Sequence, residues 1–294
     1  MAFKRSIGEH IFSVFNVLIM CGIVFVTLYP FVYVALASFS DPGLLSVHEG
    51  PLLYPLGGFT LGAYQMAFRN PMIIIGYRNT IFYVVLGTAY MLFMTSLGAY
   101  VLSRRGLYWG RLITLLIVFT MFFSGGMIPS YLIVRSLGLE NNPLALILPS
   151  SISTFNMILM RTSFRSIPES LEQSAKIDGA NDWTILFRIV LPLSMPIVAV
   201  MILFYGVGIW NSWFSAMLYL RNRNLFPLQL ILREILIIFN LDTMTAGVGN
   251  VDRVSYGLTI KYAVIMIASI PIMCAYPFLQ KYFIRGIMVG AIKE

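Results

Sequence analysis

The sequence predicts an all-α polytopic membrane protein with six transmembrane helices, and three observations carry that prediction. Hydrophobic residues make up 59% of the 294 positions and charged residues only 11%, against about 25% charged in a soluble domain. Mean hydropathy is +0.83, more apolar material than one aqueous core can hold. Six stretches contain no Asp, Glu, Lys or Arg: His10–Ser40, Asn79–Ser103, Leu112–Val134, Asn141–Met160, Ile189–Leu220 and Tyr262–Gln280. Each reaches about the 20 residues that a helix needs to cross a bilayer. They are expected to form one domain over 1–294, with spans at about 10–40, 79–103, 112–134, 141–160, 189–220 and 262–280.

The first span follows Lys4 and Arg5 and contains Ala35-Leu36-Ala37, features shared with a secretory signal. Its apolar run is far longer than the roughly 7–15 residues of a signal core, so an uncleaved helix is expected. A further charge-free window, Gly50–Phe68, carries Pro51, Pro55, Gly57, Gly58 and Gly62 and reads as a loop. Cys21 and Cys274 fall inside apolar spans. They are expected to be buried small hydrophobes, and neither a disulfide framework nor a metal-ligand set is visible.

Six spans place both termini on one side. The basic residues of that side are Lys4, Arg5, Arg104, Arg105, Arg111, Arg161, Arg165, Lys176, Arg188, Lys281, Arg285 and Lys293. They outnumber those of the opposite side and sit in shorter loops, so the termini are expected in the cytoplasm. The net charge of +8 is read as this asymmetry and not as a nucleic-acid surface. Two long loops then lie outside, about 39–78 and 221–261. The second holds the apolar patch Arg233–Phe239, which reads either as an interfacial turn of helix or as contact with an extracytoplasmic partner.

Between the fourth and fifth spans lies a polar, helix-forming loop, 161–192, expected on the cytoplasmic side. It reads Glu172-Gln173-Ser174-Ala175-Lys176-Ile177-Asp178-Gly179-Ala180 and ends in Ile189-Val190-Leu191-Pro192. Ser166-x-x-Glu169 with Pro168 predicts a capping box opening a helix over 167–177. Asp178-Gly179 predicts its end, because glycine tolerates a left-handed C-cap. Asn181 or Asp182 can cap a second short helix through Leu191, closed by Pro192. Leu171, Ala175, Ile177, Trp183, Leu186 and Phe187 are too many apolar side chains for one short elbow to bury, so some must meet another surface.

The spacing of this loop closely resembles the signature loop of ATP-binding-cassette (ABC) import permeases: Glu-Ala-Ala, three residues, Gly, nine residues, Ile-x-Leu-Pro. Nearly the whole chain is similar to the carbohydrate-uptake branch of that family. Shared features include Leu191-Pro192-Leu193-x-x-Pro196, Trp210-Asn211, Gln280-Lys281-Tyr282-Phe283 and Gly290-Ala291-x-Lys293. Gly125-Gly126-Met127-Ile128-Pro129-Ser130-Tyr131, followed by Leu137-Gly138-Leu139, resembles a Gram-positive subgroup linked to complex or acidic oligosaccharides, including pectin fragments.

The resemblance implies a type I ABC importer permease fold in the bacterial cell membrane, with the elbow as a cytoplasmic coupling helix. Glu172, Gln173, Ser174, Ala175, Asp178, Gly179 and Ala180 would meet the ATPase. The sequence departs from the family at Gln173, which is usually Glu, and at Ser174, which is usually Ala; neighbouring Glu172 would supply the charge with a shifted geometry. The implied partners are a second permease subunit of different sequence, two nucleotide-binding ATPase subunits and an extracytoplasmic solute-binding protein. ATP and magnesium would belong to the ATPase, with no cofactor on this chain. The tail, Lys293 and Glu294, reaches the ATPase in relatives.

Other function classes find little support in the residues. No Gly-x-x-x-x-Gly-Lys-Ser/Thr phosphate loop, His-Glu-x-x-His or Gly-x-Ser-x-Gly occurs, which argues against an enzyme. An ion-coupled transporter usually carries ionisable groups within its spans, and the six stretches lack acidic and basic residues. An importer of a non-sugar solute stays open. Pro192, Pro196, Gly206 and Gly208 around the fifth span allow kinks or close helix approach. Trp210, Asn211, Ser212 and Trp213 form an aromatic and amide cluster that can either line a sugar path or anchor the helix at the membrane interface.

Overall fold

The computed structural model describes residues 7–245 and 251–291. The expectations for Lys4, Arg5, Lys293 and Glu294 lie outside them. The described residues form only helices, turns and loops. In chain order the α-helices are α1 Ile7–Ser38, α2 Pro42–Val47, α3 Gly62–Arg69, α4 Pro71–Ser103, α5 Gly110–Phe119, α6 Met127–Ser136, α7 Thr154–Arg165, α8 Glu169–Ile177, α9 Asp182–Ile185, α10 Leu191–Leu193, α11 Met195–Trp210, α12 Phe214–Tyr219, α13 Leu228–Thr245 and α14 Val251–Ala291. Two compact units can be separated: 1–70 with 234–269, and 71–233 with 270–294.

Among the described residues, three helices are long and apolar enough to span: Gly8–Ser38 in α1, Pro71–Ser103, and Gly257–Pro277 in α14. A fourth candidate is bent by 87° between Asp182–Leu193 and Met195–Trp210. The other expected spans are not single helices. In 112–134, α5 stops at Phe119 and α6 begins at Met127, with Gly126 at φ 84°, a backbone state that helices exclude. In 141–160, Pro143 opens a 3-10 turn through Leu146, and the helix starts only at Thr154 under a Ser153 cap. In 189–220, α11 ends at Trp210 and a separate short α12 follows.

Two helices are longer than the charge-free stretches. Pro71 stands at the start of α4, where its missing N–H costs nothing, so Arg78 lies on the helix; Lys261 lies inside the apolar part of α14. The spans are therefore not wholly free of ionisable residues. The Arg233–Phe239 patch sits within the 18 residues of α13, more than an isolated turn. Cys21 and Cys274 are exposed, not buried. In a bilayer an apolar residue need not be interior, because lipid tails solvate it as well as protein does.

In the first unit, the end of α1 is locked by its own loop. Ala37, Leu45 and Leu52 form a buried cluster with Tyr33, Leu36, Leu56 and Tyr262 against it. The Asp41 carboxylate accepts from the N–H groups of Gly43 and Leu44 and caps α2. Asp41 N–H donates to the Leu56 carbonyl and Thr60 N–H to that of Phe39, so the Pro- and Gly-rich window is an ordered loop as far as Leu61. Its last part, Gly62–Phe68, is not loop as expected but belongs to helix α3, since Gly62 stands in the first turn and no proline follows it before Pro71. Ala35-Leu36-Ala37 is helical, with Ala37 fully buried.

In the second unit α4 is the central post. Its C-terminal half packs against α7, the elbow and α11 through Met91, Ala99, Met157, Phe164, Leu186 and Met201. Thr95 and Tyr205 share a buried hydroxyl–hydroxyl bond of 2.6 Å. At its N-terminal half Asn79 Nδ2 donates to the carbonyls of Asn224 and Phe226, Tyr83 to that of Leu225, and Leu228 N–H to Thr80 Oγ1. The 224–228 connection thus has its backbone groups satisfied by α4 side chains, as a low-dielectric setting demands. Nearby, Asn141 at φ 58° accepts from the N–H groups of Arg221 and Asn222, and Tyr131 and Arg221 both donate to Glu140 Oε1. The Tyr131 hydrogen bond and then the Arg221 charge hold the Glu140 carboxyl below its ordinary value.

A Cβ on Gly76 would stand 2.7 Å from Ile231 Cδ1 and 3.0 Å from the Leu228 backbone. Gly76→Ala is therefore expected to destabilise the purified protein by about 1–3 kcal/mol, read as a lower unfolding temperature in detergent. Since the folded pKa of Glu140 is depressed, its pair stabilises above the ordinary value of 4.5 and loses that effect as pH falls through the folded value. Glu140→Gln should lower the unfolding temperature at neutral pH, and the gap to the unmodified protein should close well below that value.

Candidate functional site

The polar elbow between α7 and α11 follows the expected outline with one correction at its start. Ser166 does not form a capping box: its hydroxyl donates back to the Ser163 carbonyl, while Pro168 is the N-cap of α8 and supplies no side-chain bond. The reason is local, since α7 runs on to Arg165 and the last-turn carbonyls compete for the Ser166 hydroxyl. The end of α8 matches expectation. Gly179 N–H donates to the Lys176 carbonyl and Ala180 N–H to the Ala175 carbonyl, with Gly179 at φ 81°. That pair of bonds is a Schellman closure.

Asn181 then caps α9, its side chain accepting from the Thr184 N–H and hydroxyl. The next turn does not close at Pro192. It widens to a π-turn over 186–190, with Leu191 N–H donating to the Leu186 carbonyl. Proline lacks an N–H and crowds the preceding turn, and the wide turn just before it relieves that conflict. The chain turns by 87° beyond Leu193 and continues as α11.

The elbow divides its side chains between two faces. Ile185 and Leu186 are fully buried against the α4 and α7 core, and Ala175 and Ala180 pack on the same core. Gln173, Ser174, Asp178 and Gly179 are exposed. So are Leu171, Trp183, Phe187 and, at 86%, Ile177. Trp183 and Phe187 stack with ring centroids 6.1 Å apart. An apolar side chain as open as Ile177, in the middle of a polar loop, marks a surface awaiting a partner.

The elbow is tied to the end of α4 by charge. Glu172 pairs with Arg104, with side chains only 14% and 23% exposed, and Glu169 pairs with Arg105 at 2.8 Å. Arg104 also donates to the Tyr100 carbonyl and stands over the Tyr100 ring at 4.1 Å, while the Tyr100 hydroxyl donates to Asp182 at 3.3 Å. Glu172 is thus turned inward to its own chain, while Gln173 stays on the outer surface. No sequence signal paired Arg104 with Glu172, because nothing in the spacing shows that residues so far apart meet.

The residues of the aromatic and amide cluster differ in burial and in contacts. Trp210 is buried edge-on to Tyr77 at 6.2 Å, Asn211 is exposed, and Trp213 carries the Arg233 guanidinium 3.5 Å above its ring. Ser212 sits half-buried between them. The tryptophans serve packing and cation–π contact.

Comparison with known proteins adds an independent line. Residues 1–289 match the family model described as binding-protein-dependent transport system inner membrane component. The chain is 42% identical to Protein LplC of Bacillus subtilis (strain 168) over 284 residues, covering 97% of this chain and 95% of that one. It is 44% identical over 270 residues to the polygalacturonan/rhamnogalacturonan transport system permease protein YtcP of the same organism, covering 90% and 92%. Among solved structures, it is similar to a chain of a bacterial ABC transporter involved in the import of the acidic polysaccharide alginate. That match has a TM-score of 0.86 and 33% identity, over 96% of this chain and all of the other.

Arg104→Glu should loosen the elbow by roughly 1.5–3 kcal/mol, the range for a hydrogen bond to a charged group. Faster proteolytic cleavage at 166–182 would report it. The exchanged pair Arg104→Glu with Glu172→Arg should restore most of the protection.

Proposed function

The chain belongs to the family of binding-protein-dependent transport system inner membrane components, and from that premise we propose that it is one permease subunit of an ATP-driven oligosaccharide importer. It forms half of the translocation pore in the bacterial cell membrane, beside a second permease of different sequence. A solute-binding protein delivers the cargo from outside. The cargo is a complex or acidic oligosaccharide; identity to the polygalacturonan/rhamnogalacturonan permease and likeness to the alginate importer support that class. ATP and magnesium act on two separate nucleotide-binding subunits, and the permease itself performs no chemistry.

In this reading the termini are cytoplasmic, and the shorter helices pair to complete six crossings: α5 with α6, the 143–165 segment, and the bent 182–210 segment. The elbow is the coupling helix. Gln173, Ser174, Asp178 and Gly179, with Ile177, enter a cleft of the ATPase. Glu172, Ala175 and Ala180 act from behind, holding the elbow to its own bundle. When ATP draws the nucleotide-binding subunits together, the elbow moves as a rigid piece. The Arg104–Glu172 pair carries that motion to α4, and the bent continuation carries it to α11. The two pore states differ in affinity for ATP-bound partner and for solute, and only that difference can drive the exchange.

The exposure of Ile177, 86%, beside the left-handed Gly179 is the observation that carries the coupling assignment. Ile177→Asp removes an apolar contact that the chain itself does not use. In proteoliposomes holding the full importer, uptake per ATP hydrolysed is expected to fall at least about tenfold, the effect of losing roughly 1.5 kcal/mol of contact energy. The subunit's unfolding temperature should not change. Unaltered uptake would remove the elbow from the coupling role.

A further inference from the structure

We propose that the inner end of α4, α5 and α7 holds a site for one anionic phospholipid, its phosphate on arginines and an acyl chain along α5. A cavity of about 500 Å³ opens there, lined by Arg104, Arg105, Arg111, Arg161 and Arg165. Arg104 and Arg105 are answered by Glu172 and Glu169. Arg161 donates its Nε–H to the Leu102 carbonyl, which leaves its charge uncompensated. Arg111 and Arg165 have no acidic partner among the described residues. Three guanidinium groups therefore converge on one concavity without a counter-charge, and an anion relieves their mutual repulsion.

The shape of the cavity selects the kind of anion. Guanidinium forks match phosphate oxygens in pairs. The wall beyond them is apolar: Leu115 and Val118 lie one and two turns along α5 from Arg111. Leu115 is 65% exposed, and Leu116 and Phe119 beside it are also open. A free inorganic anion would leave this wall unused, whereas a lipid covers both ends. Tyr108 and Trp109, which precede α5, are exposed side by side. Such a pair marks the headgroup level of a membrane, so the arginines stand where lipid phosphates lie. Basic pockets between membrane helices bind anionic headgroups by this combination of charge and depth.

Placement of the site in the cytoplasmic leaflet rests on the orientation proposed above. The readout below is lipid retention and not sugar uptake, so the two readings fail separately. The assembled importer is purified in mild detergent and titrated, under native mass spectrometry, with phosphatidylglycerol, phosphatidylcholine of the same chains, and glycerol 3-phosphate. One phosphatidylglycerol per copy of this chain should be retained, and phosphatidylcholine should not. The pair Arg111→Gln with Arg165→Gln should weaken retention at least about tenfold, each arginine contributing about a factor of five. Arg78→Gln, at the other end of α4, should leave it unchanged. Equal retention of phosphatidylcholine, or no loss in the double variant, would overturn the site. Glycerol 3-phosphate binding as tightly as the lipid would reassign it to a soluble anion. The lipid competition on the unmodified importer decides the matter even if the double variant does not assemble.

Discussion

A largely buried guanidinium–carboxylate pair, Arg104 with Glu172, ties the polar elbow to the helix bundle of its own unit. It joins the end of α4 to the face of the elbow. Removed from bulk water on both sides, such a pair is stronger than a surface ion pair and is directional. Around it the Tyr100 ring, the Tyr100 carbonyl and Asp182 complete the contacts. Without it α8 would keep only the exposed Glu169–Arg105 pair and the packing of Ala175 to hold it to the bundle. With it, α8 is held against the α4–α7–α11 bundle.

The same logic assigns the elbow's residues to opposite duties. Its apolar inner side, Ile185 and Leu186, is consumed by the core, and its outer side keeps small, polar or glycine positions beside one open isoleucine. The left-handed Gly179 lets the chain reverse within two residues and keeps the outer face low. The motif departure at Gln173 fits this division. The charge that the family usually carries there is absent from the outer face, while the adjacent Glu172 serves the internal strut.

At the other end of α4 the structure uses hydrogen bonds instead of charge. Asn79, Thr80 and Tyr83 hold the 224–228 connection by its backbone, and Asn141 accepts from two successive N–H groups of 221–222. Buried amides and hydroxyls suit this depth because they satisfy backbone groups without bringing a net charge. The core helix is thus tied at one end through neutral amide and hydroxyl side chains to loop backbone, and at the other through ion pairs to the elbow.

Composition and the lengths of the charge-free runs made the membrane class legible, and the loop spacing made the elbow and its glycine turn legible. These are local properties: a hydropathy sum and the φ demanded at Gly179 depend on few neighbours. The breaks at 120–126 and at Pro143 do not register as breaks in hydropathy, because an apolar run without charges has the same hydropathy whether continuous or folded into pieces. At Ser194 the flanking Pro192 and Pro196 indicated that a kink was allowed, but not its angle. Nor could the chain order show that Arg104 meets Glu172, that five arginines share one cavity, or that Cys21 and Cys274 face outward. Such facts depend on which helix faces pack together, and that follows from close approach at glycines such as Gly76, Gly87 and Gly98 and from the summed fit of the core, which no single segment encodes.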